Sequence, residues 1–115
     1  MTIVECYDVI GGDYEGVYGR MMRKESLVIK FAKKFLEDDS YQKLKESLAA
    51  GNVEEAFRAA HTLKGVAQNL GFVTLYEPGS ELAEILRGGS MEGSDELMAR
   101  ITEAYEKTAA ALREL

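Results

Sequence analysis

The sequence predicts an all-α fold: an antiparallel up-down four-helix bundle with additional short N-terminal helices. Three observations predict it. Apolar residues recur at alternating steps of three and four through most of the chain, which is the spacing of one helix face. Small clusters of Gly, Asp, Asn and Ser separate these stretches and supply helix caps. The period-two alternation of a half-buried strand is absent throughout. At 115 residues the chain is expected to form a single domain with a real core. The bundle is assigned to residues 25–115, and residues 1–24 to an extension that packs on it.

Residues 3–10 (Ile3, Val4, Tyr7, Ile10) read as a short helix stopped by Gly11-Gly12. Asp13 then caps a second short helix whose apolar face is Tyr14, Val17, Tyr18, Met21 and Met22. A third, Glu25–Glu37, presents Val28, Phe31, Ala32, Phe35 and Leu36, with lysines opposite. Asp38-Asp39-Ser40 breaks it, and Ser40 is the expected cap of a helix at Tyr41–Ala50. After Gly51, Asn52 with Glu55 resembles a capping box for a helix at Asn52–Leu70, about 28 Å long at ~1.5 Å per residue. Its apolar seam is Val53, Ala56, Ala60, Leu63, Ala67 and Leu70, and Gly71 ends it. Thr74 and Glu77 suggest a second capping box, yet Pro78 opposes a regular first turn. The expectation is a helix over 74–87 with a disturbed start and Leu75, Leu82, Ala83 and Leu86 inside. A Gly/Ser-rich loop at 88–94 follows, and Ser94 is the expected cap of a final helix at 95–115.

Composition narrows the function. The single cysteine, Cys6, and the single histidine, His61, stand 55 residues apart and cannot supply a structural zinc set, so neither a metal nor a cofactor is expected. No Gly-rich loop follows a strand, which removes the dinucleotide and P-loop fingerprints. The carboxylate pairs Glu54-Glu55, Asp38-Asp39 and Glu81 with Glu84 lie at helix ends or on polar faces, where solvation and capping account for them. A net charge of −6 disfavours nucleic acid and anionic membrane as partners. Residues 20–34 nevertheless carry six basic groups against Glu25 alone, which is either a solvated helix face or a dock for an acidic partner. No apolar run is long enough to span a bilayer and the N-terminus lacks a signal pattern, so a cytoplasmic monomer is expected.

His61 is the residue that capping and solvation do not explain. It follows Ala60 of the seam by about 100°, which turns it to solvent with Glu54, Arg58, Gly65 and Gln68. A glycine inside a helix costs roughly 1 kcal/mol relative to alanine. Gly65, one turn beyond His61, clears one flank of the imidazole in return. Lys64 can bring an ammonium beside the same ring. An imidazole with no carboxylate partner has little means of general-base work, but it can attack an activated phosphoryl group and hold it as a phosphoramidate. Lys64 would offset the added negative charge, and Gly65 would leave room for the donor.

Arg58-Ala59-Ala60-His61-Thr62-Leu63-Lys64-Gly65, followed by Asn69-Leu70-Gly71, resembles the histidine-containing phosphotransfer (HPt) domain of bacterial phosphorelays. The resemblance runs from about Leu27 to the C-terminus and includes Phe35-Leu36-Glu37-Asp38. It implies that His61 is the phosphoacceptor, with Lys64 as phosphoryl neighbour and Gly65 as the clearance position. It also implies a phosphocarrier without catalysis of its own. The implied partners are response-regulator receiver domains, whose aspartate exchanges the phosphoryl group, or a hybrid histidine kinase. The family often places a Gln on the following helix; Ala83 stands at the matching position here. Gln68, Arg58 and Ser80 are the remaining candidates for contact with the phosphoryl group.

Two other readings stay open on sequence alone. An HPt-like bundle could bind signalling partners without phosphotransfer. An enzyme or haem-binding bundle would need His61 buried. Met21, Met22 and Phe72 are the candidate apolar docking residues, on the condition that the N-terminal helices pack near the His61 face.

Overall fold

Seven α-helices and no strand make up the protein, which a computed structural model describes over residues 1–115. Helix α1 spans Ile3–Ile10, α2 Tyr14–Arg20, α3 Glu25–Lys34, α4 Ser40–Ala49, α5 Val53–Asn69, α6 Val73–Arg87 and α7 Ser94–Leu112. A single 3₁₀ turn, Phe35–Glu37, extends α3. Helices α4 to α7 form the four-helix bundle. Connections of three residues join α4 to α5 and α5 to α6, so those neighbours run antiparallel. The bundle closes where Tyr41 of α4 stacks on Tyr105 of α7, ring centroids 4.0 Å apart, with the Tyr41 hydroxyl 3.0 Å from Thr102 Oγ1. No helix is long and apolar enough to cross a membrane.

One hydrophobic core serves the whole chain. Leu44, Leu63, Leu82, Ile101 and Leu112 fill the bundle, and Ile3, Tyr7, Ile10 and Val17 join the same cluster from α1 and α2. The N-terminal helices therefore lose water-accessible apolar surface together with the bundle, the dominant favourable term in such packing. α1 lies against α7 and α3, and α2 lies against α3. A ladder of rings, Tyr7–Phe72–Phe35–Tyr105, crosses the core with centroids 5.2–5.8 Å apart, within the favourable range for aromatic pairs.

The caps show where local pattern and structure agree. Thr2 Oγ1 accepts from the Glu5 N–H at 3.1 Å, and the Glu5 carboxylate accepts from the Thr2 N–H at 2.8 Å, a complete capping box. These bonds hold the Glu5 carboxyl below its usual range. Asp13 caps α2 through the Gly16 N–H at 3.0 Å. Asn52 caps α5 through the Glu55 N–H at 3.1 Å, but only half of the expected box forms, because the Glu55 carboxylate turns to Arg58 instead. α5 ends in a Schellman motif. Gly71 has φ +68°, the Phe72 N–H donates to the Ala67 carbonyl at 2.8 Å, and the Gly71 N–H donates to Gln68 at 3.2 Å.

Three expected caps are displaced. Thr74 does not start α6, which begins at Val73; its hydroxyl donates to the Ile10 carbonyl at 3.1 Å and ties α6 to the end of α1. Ser40 and Ser94 are each the first residue inside a helix and are buried, not capping. Asp38 accepts from the Ser40 N–H at 2.9 Å and also from its hydroxyl. Gly93, in the left-handed conformation, precedes α7. Pro78 falls at the sixth position of α6, a placement that costs about 3 kcal/mol in an isolated helix. Pro78 and Gly79 are both buried, and a Cβ on Gly79 would stand 4.0 Å from Lys64 Cα. The missing side chain at Gly79 brings α6 against α5 at the level of the His61 motif.

Candidate functional site

α5 is the central helix of the site because it is flanked by both α4 and α6. Its buried residues are Ala56, Ala59, Ala60, Leu63 and Ala67, as the seam requires, with Ala59 added by the contact with α4. The small side chains on this face let the neighbouring helices approach closely. His61, Thr62, Gly65 and Gln68 are left exposed on the outer face. Burial of His61, which a haem site or an enclosed active site would need, does not occur.

The His61 ring rests on Phe57, one turn earlier, with centroids 5.8 Å apart and planes 29° from parallel. Side chains on a helix lean toward its N-terminus, so the imidazole naturally covers the turn that carries Phe57. On the C-terminal flank, nothing lies within 4 Å of where a Gly65 Cβ would be. Lys64 is half-buried on the α6 side and forms no ion pair. The polar bonds of α5 go elsewhere: Arg58 binds Glu54 and Glu55, and Arg20 binds the Gln68 and Asn69 carbonyls at 3.0–3.1 Å. None of them engages the imidazole. No group of three His, Cys, Asp or Glu side chains is placed to hold a metal ion.

The sequence candidates divide accordingly. His61 and Gly65 share the exposed face of α5, and Lys64 is half-buried at its edge toward α6. Arg58 is turned back along α5 by its two carboxylates and away from His61. Gln68 is exposed about 10 Å further along the axis, beside the Arg20 contact. Ser80 is half-buried in a groove between α6 and α7 with Tyr76, Glu77 and Leu97, and bonds nothing at His61. Ala83 is only 1 % exposed and fills core.

The docking candidates need one correction. Phe72 is 1 % exposed, held in the ring ladder between Tyr7 and Phe35, and offers no surface to a partner. Its position just after the Schellman glycine points it inward. Met22 is 68 % exposed and has φ +58°, whereas Met21 is half-buried against the core. Arg20 fixes this corner at the Gln68 end of α5, two turns from His61.

Sequence reasoning missed Phe57 and Arg87. Phe57 sits four residues before His61, a spacing that was available in the sequence. Arg87 comes from α6 and places its guanidinium carbon 5.8 Å from the Phe57 ring centroid, a proximity only the packed hairpin creates.

An all-helical bundle presenting one solvent-facing histidine is thus the class that fold and site define. Residues 35–111 match the Hpt domain family, and the chain belongs to that family. No curated protein and no solved structure matches it. Membership places the protein in histidine phosphotransfer of two-component signalling, where Hpt domains act as phosphocarriers and not as catalysts.

Proposed function

We propose that His61 accepts a phosphoryl group from, and returns it to, the aspartate of a response-regulator receiver domain. The observation that carries this reading is the exposed imidazole with open space on the Gly65 flank, on an otherwise well-packed helix. In the forward step a neutral ring nitrogen attacks phosphorus, the N–P bond forms, and the P–O bond to the aspartate breaks. The aspartate leaves as carboxylate, and the ring carries the balancing positive charge until its other N–H gives a proton to solvent. Lys64, beside the acceptor and without a carboxylate partner, offsets the phosphoryl charge. Receiver domains or a hybrid kinase are the partners on this reading. Met22 and the basic corner at 20–34 then supply a docking rim, and the chain works as a cytoplasmic monomer in which α1 to α3 pack on the α4–α7 bundle.

Incubation with a radiolabelled phospho-receiver tests it. Label should move to the wild-type protein as an acid-labile phosphate and should not move to His61→Gln. Label that survives His61→Gln sinks the assignment. A second reading, partner binding without phosphotransfer, draws on the buried Ala83, which leaves the imidazole without a hydrogen bond from α6. That reading requires partner affinity without any acid-labile phosphate on the wild type.

A further inference from the structure

We propose that Phe57 is a positioning residue for the His61 imidazole, held in place by Arg87 from α6. The inference rests on the phosphoacceptor reading above and adds how the acceptor ring is aimed. An exposed histidine on a helix is ordinarily free to turn about its two side-chain torsions. Transfer from a docked protein donor demands more: the nitrogen lone pair must lie along the line to phosphorus when the two surfaces meet. Here no protein hydrogen bond sets the ring plane: none of the side-chain bonds of α5 and α6 reaches the imidazole, and Ala83 of α6 is buried in the core. The contact that constrains the plane is the near-parallel stack on Phe57, 5.8 Å between centroids and 29° between planes.

Phe57 is itself restrained. It is half-buried against the core, and the Arg87 guanidinium carbon lies 5.8 Å from its ring centroid, a distance at which a cation is attracted to an aromatic ring. Arg87 in turn is paired with Glu84 one turn back on α6, at 3.4 Å. A chain of contacts therefore runs from α6 through Arg87 and Phe57 to His61, and couples the acceptor ring to the partner helix of the hairpin. The two turns that flank His61 have opposite roles. Phe57 supplies a shelf on the N-terminal side, and Gly65 leaves an opening on the C-terminal side.

Phe57→Leu keeps an apolar group of similar bulk and removes the ring. Three measurements on the full chain decide the matter: the NMR shifts of the His61 ring protons, single-turnover transfer from a labelled phospho-receiver at saturating receiver, and chemical labelling by phosphoramidate. In wild type the ring protons should show an upfield ring-current shift, and Phe57→Leu should abolish it. Saturated transfer should fall by about tenfold or more. Labelling by phosphoramidate, a small donor that can approach from any direction, should fall much less. Phe57→Tyr should restore both the shift and the rate, and Arg87→Gln should slow saturated transfer by a few-fold. A Phe57→Leu protein that keeps its melting temperature and transfers at the wild-type saturated rate overturns the proposal, as do unshifted His61 ring protons in wild type. A wild-type protein that takes no phosphoryl group from either donor overturns the phosphoacceptor reading itself, a separate result.

Discussion

Two glycines six residues apart, Gly65 and Gly71, belong to one sequence motif and meet opposite surroundings. A methyl group added at Gly65 would touch nothing within 4 Å. One added at Gly71 would stand 2.7 Å from the Asp13 carbonyl oxygen and 2.6 Å from Val17 Cγ2, at a backbone φ of +68°. The same absence of a side chain serves the fold at Gly71 and, on the proposed reading, an incoming partner at Gly65. Around Gly71 the chain is tied down from several directions. The Asp13 N–H donates to the Gly71 carbonyl at 2.8 Å, and the Tyr7 hydroxyl donates to the Leu70 carbonyl at 2.7 Å. Arg20 holds the last carbonyls of α5. Around Gly65 the helix faces water. α5 is thus anchored at its C-terminal end and presented at its middle.

The largest effect that would break this contrast is expected at Gly71. Gly71→Ala must place an L side chain in the left-handed region and displace backbone atoms of the α1–α2 corner. Its expected cost is about 2–5 kcal/mol in chemical denaturation. A Gly71→Ala protein as stable as wild type would mean that the α1–α2 corner is not held as described.

Tyr7 offers a smaller and pH-dependent test of the same region. Tyr7→Phe loses the bond to Leu70 and should cost about 1 kcal/mol at neutral pH. Burial pushes the Tyr7 phenol well above its ordinary range, with further upward pressure from the neighbouring Cys6. The sign follows from linkage. The folded state favours the neutral phenol, so this contribution is complete below about pH 10 and is lost as pH rises past the unfolded value toward the folded one. Wild type should therefore lose stability steeply in alkali, and Tyr7→Phe should lose less over the same interval. Parallel alkaline curves for the two proteins would remove Tyr7 as the cause.

Gly65→Ala sharpens the contrast with the smallest stability change and the opposite sign. Its melting temperature should hold or rise, because alanine favours a helix interior by up to about 1 kcal/mol. Transfer from a phospho-receiver should slow, since the methyl group occupies the open flank of His61. If Gly65→Ala raised stability and left transfer unchanged, the clearance role would be lost.

Much of this was legible in the sequence, and most of the exceptions come from tertiary contacts. The seam Ala56–Ala60–Leu63–Ala67 and the outward His61 follow from helical period alone, and Asp13 and Asn52 cap as their local spacing requires. Thr74, Ser40 and Ser94 were equally plausible caps by local pattern. Each found a different use: at Thr74 the end of α1 arrived, Ser94 was buried, and at Ser40 the Asp38 carboxylate two residues earlier took the N–H and hydroxyl in a local turn. Local pattern makes Pro78 a disturbance at a helix start. Packing instead carries a continuous helix through it, with Gly79 beside it against Lys64.

The sequence by itself determined that His61 faces water, because one helical turn fixes which residues share a face. It also determined that the chain is a helical bundle, because periodicity and caps agree across the chain. The tertiary structure decided what surrounds that face. It buried Phe72 between the rings of Tyr7 and Phe35, from two other segments, set Arg20 on the end of α5, and brought Arg87 to Phe57. These are contacts between residues far apart in the chain, which no local spacing encodes. They are also what anchors the histidine helix and leaves its middle open.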